Sequence, residues 1–151
     1  MKYSGSIVSA AAATNAAYAT INAGATRRVA ICELGIFTRA ATSSNVFVGH
    51  PANEATPPVA TGTVTPGPHD PADTAACLAR MAATWSTVPT QPGSPLYQFT
   101  LGAAVGAGFV RKFAPGSDDC IKLGLAGWLA IFNPSGGATG SALDVYCEFD
   151  E

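Results

Sequence analysis

Leu143-Asp144-Val145-Tyr146-Cys147-Glu148-Phe149-Asp150 decides the fold class. Leu143, Val145, Cys147 and Phe149 alternate with Asp144, Glu148 and Asp150. Successive side chains of an extended chain point to opposite faces, so this octet reads as a strand with one face buried and one in water. Tyr97-Gln98-Phe99-Thr100-Leu101 alternates in the same way. Residues 28–37 (RVAICELGIF) are a run of β-branched and apolar residues that suits a strand covered on both faces. Shorter apolar blocks at 17–23, 46–48, 109–113, 121–125 and 128–132 are set apart by Gly, Ser, Asn and Pro.

No stripe at helical spacing is sustained anywhere. One stretch is ambiguous. Residues 75–82 can open a helical turn behind Asp73 or Thr74 as cap, after which Met81, Ala83 and Trp85 alternate as a strand closed by Pro89. The spacing gives about eight to ten strands in one domain over 1–151. The expected fold is all-β, a jelly-roll-like antiparallel β-sandwich.

Residues 51–72 break the pattern. They hold six of the eleven prolines, which predicts an extended arm with at most an edge strand at 59–64. Prolines reduce the entropy an extended segment loses on docking, which makes Pro57, Pro58, Pro66 and Pro68 candidate contacts with another subunit or protein. A long solvated loop is the alternative. Residues 1–10 place Lys2 before a partly apolar run and resemble only a poor signal peptide, because alanine and serine dominate. The longest apolar candidate for a span, 123–132, is far short of the ~20 residues needed to cross a bilayer, so no membrane partner is expected.

The 151 residues are 48% hydrophobic and 12% charged, with a net charge of -2. The charged share is about half the usual one for a soluble domain. Such a chain lacks the basic field that draws in nucleic acid, and it has the reverse of a disordered composition. A surface so poor in charge is expected to be covered in part by copies of itself or by a partner.

The search for chemistry selects little. His50 and His69, with Asp70 or Asp73, match no zinc or iron spacing. Asp118-Asp119 lies in a Gly-Ser-Asp turn without EF-hand spacing. Glu33, Glu54, Asp118 and Asp144 define no particular carboxylate pair for glycoside chemistry. Neither glycine-rich stretch, 102–108 or 136–141, follows a nucleotide fingerprint, and no G-x-S-x-G elbow occurs. The reading is therefore not an enzyme, with no cofactor and no metal. Glu33 stands out because a carboxylate inside an apolar strand is costly unless paired. Arg28 is the candidate partner, with Arg27 and Arg39 as others; the alternative is that its face is exposed. Four cysteines without a C-x-x-C pair allow three complete intrachain pairings, among which the sequence does not choose. Cys32 and Cys147 lie among apolar strand residues and read as buried thiols.

Four phrases carry a resemblance: Arg28-Val29-Ala30-Ile31-Cys32-Glu33-Leu34-Gly35-Ile36-Phe37, the Asp70-Pro71-Ala72-Asp73 turn, Ala83-Thr84-Trp85-Ser86-Thr87-Val88-Pro89-Thr90, and Trp128-Leu129-Ala130-Ile131-Phe132-Asn133 with Ser141-Ala142-Leu143-Asp144-Val145-Tyr146. Scattered from residue 28 onward, they resemble small β-sandwich structural proteins of tailed bacteriophages. The resemblance implies a capsid decoration (cement) protein or a neck, collar or tail ornament. Such a protein is made in the host cytoplasm, carried on the virion exterior, commonly trimeric, and bound to capsid, neck or tail proteins. A particle that persists outside the cell favours oxidised thiols, so Cys77 and Cys120, each near a turn, become candidates for a disulfide, between chains rather than within one. The alternative is that all four cysteines stay reduced. A second functional reading is a receptor- or glycan-binding module on a phage tail, with Trp85, Tyr97, Asp118 and Asp119 as its candidates.

Overall fold

The computed structural model describes residues 1–52, 57–114, 119–136 and 138–151. Among them there is no helix, and twelve strands form two antiparallel sheets packed face to face. The strands are β1 (Lys2–Val8), β2 (Ala16–Asn22), β3 (Val29–Thr38), β4 (Ser44–Gly49), β5 (Val59–Val64), β6 (Gly67–Pro68), β7 (Arg80–Thr87), β8 (Tyr97–Leu101), β9 (Gly108–Lys112), β10 (Ile121–Leu123), β11 (Trp128–Asn133) and β12 (Leu143–Asp150). The first sheet runs β10-β3-β12-β1-β6, with β9 also on β3; the second runs β5-β7-β2-β11-β4-β8.

The pairing is that of a long hairpin folded over. β1 pairs β12, β2 pairs β11, β3 pairs β9 and β4 pairs β8, each pair nested inside the one before. The fold-over then sets β12 against β3 and β11 against β4. This nested wrapping is the jelly roll expected from the strand pattern. The inner faces meet in one core, with Leu34, Val145 and Phe149 from the first sheet and Ile21, Val48 and Ile131 from the second all essentially without solvent contact. The octet 143–150 behaves as read: its apolar members are buried, and Asp144, Glu148 and Asp150 lie on the other face.

The segment between β4 and β8 is an insertion into this eight-strand plan. Its β5 and β7 widen the second sheet beyond β2, and its β6 widens the first beyond β1. The proline-rich arm thus crosses from one sheet to the other, and the edge strand expected at 59–64 is β5. Pro66 is buried at the crossing, beside Gly5: a Cβ there would lie 3.0 Å from the Pro66 ring and 2.9 Å from Met81 Sδ. Pro58 is also buried within the subunit, while Pro57 and Pro68 are exposed, so only two of the four candidate prolines face outward.

Residues 2–8 form β1, flanked by β12 and β6. One sequence expectation is corrected. Residues 75–79 form no helical turn. They run irregularly into β7 because side chains occupy their backbone: the distant Glu151 accepts the Leu78 and Ala79 N–H groups, and the neighbouring Arg80 donates to the carbonyls of Cys77 and Ala79.

Candidate functional site

The outer face of the first sheet carries the most developed polar arrangement. On β3, Leu34 and Ile36 point into the core, so Glu33, Gly35 and Phe37 point out. The register sets Glu33 opposite Lys112 on β9 and Gly35 opposite Tyr146 on β12. Lys112 Nζ lies 2.9 Å from Glu33 Oε2, and the Tyr146 hydroxyl donates to Glu33 Oε1 at 2.5 Å. Glu33 is 9% exposed, so it is buried and paired. Its ion partner is Lys112, not Arg28: the apolar run did not reveal that β9 would lie alongside. Arg27 pairs with Glu151 at 3.5 Å and Arg39 with Asp144 at 3.7 Å. Arg28 lines a surface cleft with Lys122 and Asp150.

Glycines make room for the rings on this face. Tyr146 lies across Gly35, where a Cβ would fall 2.0 Å from its Cε1, and Phe37 lies across Gly108, where a Cβ would fall 2.0 Å from its Cδ1. The two rings stack at 6.2 Å. The hydrogen bonds from Tyr146 and then Lys112 hold the Glu33 carboxyl below its ordinary value. The same bond, with burial, pushes the Tyr146 phenol up to about 12. Each group is thereby fixed in its ordinary charge state, and none is tuned toward neutrality as proton transfer requires. The arrangement ties three strands together and presents aromatic faces.

A second aromatic cluster closes one side of the sandwich. Phe99 of β8 stacks on Phe109 of β9 at 4.3 Å, Tyr97 packs against Phe109 and Phe113, and the Arg111 guanidinium lies 6.0 Å and 5.7 Å from the Tyr97 and Phe113 rings. The glycan candidates do not come together. Tyr97 sits in this seam on β8, Trp85 is on β7 with β2, β11 and β4 between them, and the Trp85 indole N–H donates to Thr20. Asp119 is exposed; Asp118 and Glu54 lie outside the described residues. The two histidines go to different sheets: His50 follows β4 with its Nδ1 3.0 Å from the Trp128 carbonyl, and His69 follows β6. Among the described residues no group of three or more His, Cys, Asp or Glu side chains is placed to hold a metal.

All four cysteines are buried thiols. Cys77 and Cys120 are 4% and 6% exposed, so turns in sequence did not bring either to the surface. Cys77 bonds the Ala79 carbonyl and Cys120 the Ala114 carbonyl. Burial pushes the Cys147 thiol up to about 12 and, with the Asp150 hydrogen bond, Cys32 up to about 11.

Sequence reasoning missed the Glu151 carboxylate. Its side chain is fully buried and accepts from Leu78 N at 3.0 Å and Ala79 N at 2.8 Å. Nothing local marks it, since both donors lie some seventy residues away in sequence. Compared with family models, with characterised proteins and with solved structures, the chain matches none.

Proposed function

We propose that this protein is a non-enzymatic structural protein of a tailed-phage virion, a homotrimer that decorates or stabilises the exterior of the capsid, neck or tail. The observation that carries the reading is the arm. It extends both sheets and leaves Val59 and Val64 exposed on its own strand, with Val8 exposed nearby on β1. Val8 and Val64 line one shallow groove with Ile7, Val145 and Tyr146. Exposed apolar side chains on a chain with so few charges suit permanent contact with other virion subunits. The setting is taken from the resemblance of the four phrases to phage structural proteins. Antibodies raised against the chain should label the outside of intact virions in electron micrographs, and the chain should be present in purified particles by mass spectrometry. Its absence from particles overturns the reading.

A second reading, glycan binding on a phage tail, rests on a different cleft of about 520 Å³ lined by Asn45, Phe47, Gln98, Phe99 and Thr100. It combines aromatic rings with amide and hydroxyl groups, the Thr100 hydroxyl donating to Asn45 Oδ1 at 2.8 Å. Chemical-shift changes confined to these residues on adding host surface polysaccharide would favour it.

A further inference from the structure

Charge is sorted along the length of the sandwich. Four connections meet at one end: residues 9–15, 39–43, 102–107 and the described part of 134–142. Hydrogen bonds knit them together. Gly140 N donates to the Ala12 carbonyl, Arg39 N to the Ala142 carbonyl, Gly106 N to the Thr38 carbonyl, and Asn133 Nδ2 to the carbonyls of Ala12 and Ala138. Apart from Asn15, Val105, Pro134 and Arg39 these connections consist of Ala, Gly, Ser and Thr, and the one charged residue in them, Arg39, pairs with Asp144. Val105, at their tip, is 71% exposed. The opposite end is the reverse. Lys2, Arg28, Arg80, Lys122, Asp150 and Glu151 gather there, as the registers Lys2↔Asp150, Asn22↔Arg80 and Lys122↔Ala30 require.

We infer that the uncharged end is the surface through which copies of this chain associate, with the loop tip around Val105 close to the rotation axis. The occupant follows from symmetry. In a cyclic homo-oligomer a side chain near the axis faces its own copies, so any charge there meets charges of its own sign. Like-charge juxtaposition costs several kcal/mol, so a surface that packs against itself about an axis has to be nearly free of charge. The loop end meets that condition and the charged end does not. A different, basic or acidic partner would be served better by the charged end. Small side chains on loops held by internal hydrogen bonds also lose little freedom when covered.

This inference rests on the self-association within the proposed function, and the test separates it from the virion role. The purified full chain is compared by light scattering and sedimentation with Val105→Glu and with Leu125→Glu, an apolar-to-acid change at a residue 56% exposed in the turn after β10 at the charged end. The wild type should be oligomeric at micromolar concentration. Val105→Glu should weaken association by about a hundredfold or more, with an unchanged circular dichroism spectrum, and Leu125→Glu should keep the wild-type mass. A monomeric wild type, or Val105→Glu retaining the wild-type mass, overturns the inference. Loss of association in both variants does so too, because the effect would then not belong to the loop end. If Val105→Glu dissociates but the chain is absent from virions, the inference stands and the virion role falls.

Discussion

Replacing Glu151 by alanine should destabilise the fold by about 3 kcal/mol, out of all proportion to a change at the end of a strand. The carboxylate accepts the N–H groups of Leu78 and Ala79, the segment that replaces the expected helical turn. A hydrogen bond to a charged acceptor contributes ~1.5–3 kcal/mol, and a buried donor left without one costs ~1–3 kcal/mol. Ala79 is fully buried, so water cannot take over from the lost oxygen; Leu78 is half-buried and partly rescued. One full loss and one partial loss give the figure. The Arg27 contact adds little, because that side chain is substantially exposed. Urea unfolding followed by tryptophan fluorescence, at one fixed protein concentration, measures it. With a slope of ~2 kcal/mol/M, the midpoint should fall by about 1.5 M. Glu151→Gln keeps one acceptor oxygen for Ala79 and should lose only about 1 kcal/mol. A midpoint shift below ~0.3 M for the alanine variant would refute the clamp, since the slope would then convert to a loss smaller than any one of these bonds.

Three further outcomes are expected. Gly35→Ala should displace the Tyr146 ring, because its Cβ would sit 2.0 Å from Cε1, and should cost about 2–3 kcal/mol with loss of near-ultraviolet tyrosine signal; an unchanged spectrum and midpoint would count against the ring's placement. Folding lowers the Glu33 pKa below its ordinary 4.5, so the unfolded chain takes up that proton first. The contribution of the Glu33 network is thus complete above about pH 4.5 and is lost as pH falls through the folded value; unfolding midpoints measured down through that range should drop less steeply in Glu33→Gln, and parallel profiles would refute the assignment. Finally, burial and the raised thiols of Cys32 and Cys147 should protect the native chain from iodoacetamide at pH 8, with Cys147 alkylated only on global unfolding, as peptide mass spectrometry would show.

The strands that were legible in the sequence are those whose two faces differ. In 143–150 the alternation is unbroken because one face lies on the core. β1 carries a fainter version: Tyr3, Gly5 and Ile7 form its inner row, but Gly5 interrupts the apolar signal, and the reason for glycine there is the distant pair Pro66 and Met81. The polar features failed for the same cause. Glu33 finds Lys112 only once β9 lies beside β3, and the Leu78 and Ala79 N–H groups are satisfied by a carboxylate seen only in three dimensions. Pattern reasoning reads what neighbouring residues impose; pairs made by topology leave no local trace. The uncharged loop end lies between these cases, since its alanines and glycines are plain in the sequence but their gathering at one end requires the wrapped hairpin.

The place of β12 has a consequence for how the chain is made. It is the last of these twelve strands to be synthesised, yet its seat is in the middle of the first sheet, between β3 and β1. Until residues 143–150 emerge, that sheet exists as two unjoined parts, each with open strand edges and an uncovered apolar face. Nor does the nested plan offer an early local shortcut, because even its innermost pair, β4 with β8, is separated by residues 50–96. Such non-local pairing folds in roughly milliseconds to seconds, not microseconds. The nascent chain therefore spends its synthesis as an unfinished sheet, the state in which strand edges recruit one another into aggregates. Yield from expression should consequently depend on chaperone capacity and on translation speed through residues 143–150 more than on the stability of the finished fold.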